Sequence, residues 1–200
     1  AAMVGTALYQ KSPATFLAAL DRKGVVIAIG ADREKDRMRG VDLGKHFPLV
    51  GRALAGESGY EVDQFPGIEE GASGNVSLLF AAPVKIDGAV VGAALTGIPL
   101  SRLARRVRRQ LRLDHVKEKG LVLWVYFYRG DALFEMETPP DLDKAIPDAA
   151  ARQGGLAANP GGFGGGFLQF GRWYGYRMGP LAALGPGLGM LIVRSDPPTP

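Results

Sequence analysis

Residues 81–95 read Ala81-Ala-Pro-Val-Lys-Ile-Asp87-Gly88-Ala-Val-Val-Gly-Ala-Ala-Leu95. Apolar residues flank Asp87-Gly88 on both sides. An Asp-Gly pair between two such runs marks a two-residue hairpin, because a type I′ turn needs positive φ at both central positions. The pattern predicts strands over 75–86 and 89–98, with Pro99 closing the second. Upstream, 15–20 and 25–29 are apolar runs around a turn at Asp21-Arg22-Lys23-Gly24, which predicts an opening hairpin. A charged loop covers 32–39. Leu43, Phe47, Val50 and Leu54 then recur at spacings of four, three and four, which predicts an amphipathic helix over 41–55, broken near Pro48 and ended by the glycines at 56 and 59. Residues 60–65 fit a strand and 66–74 a polar loop. At the start, Met3, Ala7 and Leu8 read as the end of a helix stopped by Pro13. Downstream, Ser101 can cap a helix running to 117, with Leu103, Val107 and Leu111 on one face.

The second half repeats the plan. Strands are predicted over 121–128 and 132–137 around Arg129-Gly130-Asp131, then a helix over 139–151 with Pro140 in its first turn. A flexible glycine-rich loop over 154–166 and strands over 167–170, 173–178 and 188–193 complete it. A hairpin, a helix and a three-stranded meander, occurring twice, give an α+β fold of two units, each a five-stranded antiparallel sheet with flanking helices. The predicted boundaries are 1–12 for the end of an N-terminal helix, 13–100 for the first unit, 101–119 for a linker helix, 120–196 for the second unit and 197–200 for a tail.

Composition narrows the chemistry. The chain has 200 residues, a length that suits two small domains, and a net charge of +4. With no cysteine, disulfides, thiolate metal sites and a cysteine nucleophile are excluded. His46 and His115 are the two histidines and lie far apart in sequence, so no metal site is expected. The longest apolar run, 181–193, is interrupted by Gly185, Pro186, Gly187 and Gly189, and falls short of the ~20 residues that span a bilayer. There is no signal peptide at the start, and the chain reads as a piece of something longer.

Several motifs fail on mechanical grounds. Gly40-Val-Asp-Leu-Gly44-Lys45 is one residue short of a phosphate-binding loop, and His46 stands where a hydroxyl should hold magnesium. Ser58 and Ser73 lie in turns without the strand-to-helix elbow of a serine nucleophile. Gly161-Gly-Phe-Gly-Gly-Gly-Phe167 lacks both the spacing of a dinucleotide fingerprint and a following helix. No catalytic residue and no cofactor is expected. Arginines at 102, 105, 106, 108, 109 and 112 make a basic helix. Three readings stay open for it: a solvated face, a surface for anionic headgroups or another subunit, or a nucleic-acid contact. No aromatic interleaving supports the last, and no nucleic-acid partner is expected.

The segments Leu20-Asp-Arg-Lys-Gly-Val-Val26, Gly40-Val-Asp-Leu-Gly-Lys-His-Phe-Pro-Leu-Val-Gly-Arg-Ala-Leu-Ala-Gly56 and Ala81-Ala-Pro-Val-Lys-Ile-Asp-Gly-Ala-Val-Val-Gly92, running into Gly97-Ile-Pro-Leu100, resemble the double Cache family of bacterial sensor domains. They cover most of the first half. The second half matches by repeat more than by motif. The resemblance implies two PAS-like units held in the periplasm, membrane-distal and then membrane-proximal, flanked by transmembrane helices in an inner-membrane receptor. The output domain would be a chemotaxis signalling domain, a histidine kinase or a nucleotide cyclase. Amino-acid-binding members carry an aspartate on the last strand of the distal unit. That place here is Gly97, which argues against an amine-bearing ligand.

In the first unit a concave sheet should face the helix at 41–55. The inward polar candidates are His46, Arg52, Tyr60, Ser77 and Thr96, with Phe80 as an apolar wall. A guanidinium at Arg52 can grip a carboxylate through two parallel hydrogen bonds, or it can simply lie exposed on the helix. In the second unit Arg172, Trp173, Tyr174, Tyr176 and Arg177 form either an aromatic and basic cluster or an alternating strand with packed aromatics and solvated arginines. The expected function is the ligand-sensing domain of a signal-transduction receptor, a chemoreceptor foremost, which binds a small organic anion such as a short carboxylate. The competing reading is a protein-interaction module with no small-molecule ligand. A homodimer is left open.

Overall fold

A computed structural model of the chain describes residues 16–30, 38–65 and 75–195. The helix expected over 1–12, the loop at 66–74, most of the charged loop and the tail lie outside them. The chain divides into two compact units, Ala1–Pro99 and Leu100–Pro200.

The first unit contains β1 (Phe16–Leu20), β2 (Val26–Ile29), α1 (Pro48–Leu54), β3 (Gly59–Phe65), β4 (Asn75–Ile86) and β5 (Ala89–Pro99). The strands form one sheet in the order β2-β1-β5-β4-β3, with every pairing antiparallel. Asp87 and Gly88 sit at the tip of the β4–β5 hairpin with φ of 50° and 80°, as the Asp-Gly signal requires. Alternation along the strands puts Phe16, Ala18, Leu20, Leu79, Ala81, Ala93 and Leu95 on one face. There they join Leu49, Val50 and Ala53 of α1 and Leu43 and Phe47 before it in a buried core. Phe65 stacks on Phe16 at 4.3 Å and on Phe47 at 5.8 Å.

The helix is shorter than the expected 41–55. Leu43, Phe47 and Val50 are all buried as their spacing implies, but 41–47 is turn structure and α1 starts with Pro48 at its first position. Backbone packing explains the delay. A Cβ on Gly24, whose φ is 84°, would lie 2.7 Å from the Gly44 Cα, so the two glycines let the β1–β2 turn press against this segment. Gly24 O accepts hydrogen bonds from the N–H groups of Leu43 and Gly44, and a helix there would break them.

The second unit contains α2 (Leu100–Asp114), β6 (Val122–Arg129), β7 (Ala132–Phe134), α3 (Pro140–Ala145), α4 (Ala149–Ala158), β8 (Phe163–Gln169), β9 (Arg172–Pro180) and β10 (Leu188–Ser195). Its sheet order is β7-β6-β10-β9-β8, again fully antiparallel, so the topology of the first unit recurs strand for strand. β7 stops early of 137, where Glu137 has φ of 68°.

Two expectations here are corrected. The single helix over 139–151 is two helices, because Pro147 interrupts it and Asp148 caps the second by accepting from the Ala151 N–H at 2.8 Å. The stretch at 154–166 is not a flexible loop. It holds the end of α4 and most of an edge strand. Its glycines make room for aromatic rings: a Cβ on Gly155 would meet the Phe163 ring at 2.3 Å, one on Gly165 the Tyr176 hydroxyl at 2.6 Å, and one on Gly166 the Trp173 ring at 2.9 Å.

Candidate functional site

Cross-strand register fixes which side chains share a face. Asp63 pairs with Ser77 and Ser77 with Pro99. Glu61 pairs with Leu79, Leu79 with Gly97, and Gly97 with Phe16. These rows carry the same face as the buried core and look toward α1. The adjacent row, Tyr60, Phe80, Thr96 and Leu17, points to the opposite face. Tyr60, Phe80 and Thr96 are therefore not inward, contrary to the expectation. Tyr60 and Phe80 are exposed, with ring centroids 6.2 Å apart, and the Thr96 hydroxyl donates to Phe16 O at 2.5 Å. Of the sequence candidates, Ser77 does lie on the helix-facing side, 2 % exposed, donating to Asn75 O. His46 is exposed in the turn before α1.

Arg52, on α1, reaches across to β3. Its Nη2 lies 3.6 Å from Glu61 Oε2, with side-chain exposures of 47 % and 20 %. Glu61 Oε1 is buried and has no hydrogen-bond partner. Burial pushes the Glu61 carboxyl above its usual range. Arg52 opposes that shift, the Asp63 charge adds to it, and the Leu49 N–H opposes it. One end of this face thus carries a guanidinium and two carboxylates. The acids Glu61 and Asp63 come from β3, and sequence reasoning passed over them because they precede the expected loop without any motif. At Gly97 there is no room for a side chain: a Cβ would lie 2.7 Å from Leu79 Cδ2 and 3.1 Å from the Phe16 ring. Lys45 is engaged by Asp42, Nζ to Oδ2 at 3.0 Å.

In the second unit the strand at 172–177 alternates. Tyr174 is buried and Tyr176 half-buried, stacked with Phe167 at 5.5 and 6.4 Å, while Trp173 is 64 % exposed. Arg172 departs from both sequence readings. Its Nε donates to Ser195 Oγ at 2.6 Å and its Nη2 to Gly120 O at 2.5 Å, so it ties the start of β6 to the end of β10. Arg152 is 4 % exposed. It donates to Pro147 O and Gly130 O, both at 2.7 Å, and lies 5.3 Å over the Tyr128 ring. A half-open, largely apolar cavity of about 380 Å³ is lined by Tyr128, Leu156, Pro180, Ala182 and Leu188 among others. On the basic helix, Arg105 and Arg108 pair with Glu137, and Arg108 also lies 4.6 Å over Trp124. Among the described residues no cluster of His, Cys, Asp and Glu is arranged to hold a metal, and no helix is long and apolar enough to cross a membrane.

Solved structures resemble the chain over nearly its whole length. The ligand-binding domain of the Pseudomonas aeruginosa amino acid chemoreceptor PctB, in complex with L-Arg, is similar with a TM-score of 0.50 and 14 % identity, over 98 % of this chain and 76 % of that one. The fold is the double Cache fold. The ligand-binding domain of the Pseudomonas fluorescens chemoreceptor CtaA, in complex with L-serine, is similar to this chain with a TM-score of 0.50 and 13 % identity, over 98 % and 78 % of the two chains. An extracellular ligand binding receptor from Desulfohalobium retbaense gives 0.52 and 12 % over 96 % of this chain but 32 % of its own. No family model and no curated protein sequence matches the chain.

Proposed function

We propose that the chain is the periplasmic sensing domain of a bacterial transmembrane receptor, a chemoreceptor foremost, and that its first unit binds a small zwitterion. The observation that carries this is the Arg52, Glu61 and Asp63 group on the helix-facing side of the first sheet, with Glu61 Oε1 buried and unpartnered. A guanidinium donates two parallel hydrogen bonds to a carboxylate, and the two acids offer acceptors to an ammonium. This keeps the carboxylate expected from the sequence and supplies from β3 the acid that Gly97 does not. Arg52 is half-exposed, so its present pair with Glu61 is worth at most about 1 kcal/mol and a ligand carboxylate can displace it cheaply. Similarity to domains solved with L-Arg and L-serine agrees with this ligand class. Signalling would follow from unequal affinity for two receptor states, passed to flanking transmembrane helices.

Calorimetry of the chain against a panel of amino acids and short carboxylates tests the proposal. Arg52→Ala and Glu61→Gln should each weaken a ligand found this way by about tenfold or more. Tyr60→Phe, on the opposite face, and Arg105→Ala, in the second unit, should leave it unchanged. Equal affinity in all four variants would refute the site. A second reading rests on the exposed Tyr60, Phe80 and Val84 on the opposite face, which suit contact with a protein. If no panel member binds and the chain self-associates until Phe80→Ser separates it, that reading replaces the first.

A further inference from the structure

The end of the second sheet where β8 turns into β9 presents apolar side chains to solvent. The two strands are joined by Phe170 and Gly171, with Gln169 and Arg172 as the last cross-strand pair. Phe170 has φ of 52° and Gly171 of 67°, the pattern of a type I′ turn. The β4–β5 turn meets the same requirement with Asp87-Gly88. Asp, Asn and Gly enter the left-handed region readily, whereas a phenylalanine enters it against steric resistance. Burial does not offset that cost: Phe170 is 62 % exposed, and a Cβ on Gly171 would meet nothing within 4 Å. Leu168 and Trp173 pair one step back from the turn and are exposed as well. The Trp173 ring lies close against Gly166, which has no side chain to push it away, so the indole rests on β8 with most of its surface bare.

Two contacts bring a basic connection to the same end. Arg172 Nη2 donates to Gly120 O at 2.5 Å, and Arg194 Nη2 to Glu118 Oε2 at 2.7 Å, so the segment between α2 and β6 lies beside the turn. In it Lys117 and Lys119 are exposed, and Val116 is exposed next to them. Glu118, the acid between the two lysines, is engaged by Arg194 and by His115 Nδ1 at 2.5 Å. Phe, Trp and Leu at a turn, with lysines alongside, match one kind of partner better than others. A protein would need a preformed pocket for each ring. The interfacial region of a bilayer admits Phe and Leu without one, takes Trp at the headgroup level and, where its lipids are anionic, attracts Lys.

We propose that the β8–β9 turn is a membrane-contact element: Phe170, Leu168 and Trp173 enter the interface of a bilayer that carries anionic lipid, while Lys117 and Lys119 meet its phosphates. The strained Phe170 is then a residue kept for its partner and not for the fold. The contact lies in the second unit and does not depend on the ligand site proposed for the first.

The test is co-sedimentation of the intact chain, at low salt, with vesicles of equal parts phosphatidylethanolamine and phosphatidylglycerol, beside vesicles of phosphatidylcholine. Tryptophan emission is recorded in parallel. Stronger sedimentation with the anionic vesicles and a blue shift of the emission are expected. Phe170→Asn suits the turn, so it should keep or raise the melting temperature while lowering the partition coefficient about tenfold. Trp173→Thr should lower it by a similar factor and abolish the blue shift. Lys117→Gln combined with Lys119→Gln should lower it about ten- to thirtyfold, at roughly fivefold per lysine. Arg52→Ala and Phe80→Ser, both in the first unit, should leave it unchanged, which separates this contact from the ligand site. No sedimentation with either vesicle, or an unchanged partition coefficient in folded Phe170→Asn and Trp173→Thr, would overturn the inference. Equal partition into both vesicle types would overturn it as a contact with anionic lipid. Self-association that Phe170→Asn abolishes, without vesicle binding, would overturn it too and assign the turn to a second copy of the chain.

Discussion

Replacing Arg152 by alanine should destabilise the second unit by about 2–4 kcal/mol. The guanidinium is 4 % exposed and donates to Pro147 O and Gly130 O, both at 2.7 Å. Hydrogen bonds from a charged donor are worth about 1.5–3 kcal/mol each, and the stack on Tyr128 adds about 0.5–2 kcal/mol. Two effects reduce that sum. Gly130 is exposed, so water can take over its carbonyl, and Arg152 Nε is buried without a partner, a cost that truncation removes. The assay is urea denaturation followed by tryptophan fluorescence. Both tryptophans of the chain, Trp124 and Trp173, lie in the second unit, so the signal reports that unit alone. With a urea slope of roughly 1.5 kcal/mol per molar, the midpoint should fall by about 1.3–2.7 M. Arg152→Lys should recover less than half of the loss, because one ammonium cannot span both carbonyls and cover the ring. A midpoint shift below about 0.3 M for Arg152→Ala, or full recovery by lysine, would refute the reasoning.

Three further outcomes follow from particular contacts. Gly189→Ala would put a Cβ 2.1 Å from the Tyr128 ring and should cost about 2–4 kcal/mol by the same fluorescence assay, whereas Gly51→Ala, in α1 with open space around it, should stabilise the first unit by up to about 1 kcal/mol by calorimetry. Gly88→Ala, at φ of 80° in the β4–β5 turn, should cost about 1–2 kcal/mol, read as a fall in melting temperature. Glu61 has a folded-state pKa raised chiefly by burial, so the stability it contributes is full below the ordinary glutamate pKa and is lost as pH rises through the folded value. Glu61→Gln should therefore gain on the native chain as pH rises from about 4 to 7, and melting curves that stay parallel over that range would contradict the assignment.

The doubled plan was legible because its signals are local. Asp87-Gly88 forces a hairpin, strand alternation marks which residues bury, and the same order of runs occurs twice. The site was legible only in part. Ser77 and Phe80 stand three residues apart on one strand, so they cannot share a face, and parity alone separates them. Which face looks toward α1 depends on the register of β3 on β4, where Glu61 opposes Leu79, and no residue advertises that. The glycines of β8 misled for a similar reason. Their role is set by Trp173 and Tyr176 on the neighbouring strand, and a run of Gly-Gly-Gly carries no trace of them. Arg152 was missed because it looks unremarkable in sequence and gains its role only where the fold brings Pro147 O, Gly130 O and the Tyr128 ring around it.

The central claim is that a small zwitterion sits on the helix-facing side of the first sheet. Amide hydrogen exchange of the chain, with and without the amino acid that calorimetry identifies, tests it most directly. The account predicts added protection concentrated in α1, β3 and the facing part of β4, and none at the β4–β5 turn around Asp87. Protection confined to the second unit, or none at a saturating concentration, would contradict it.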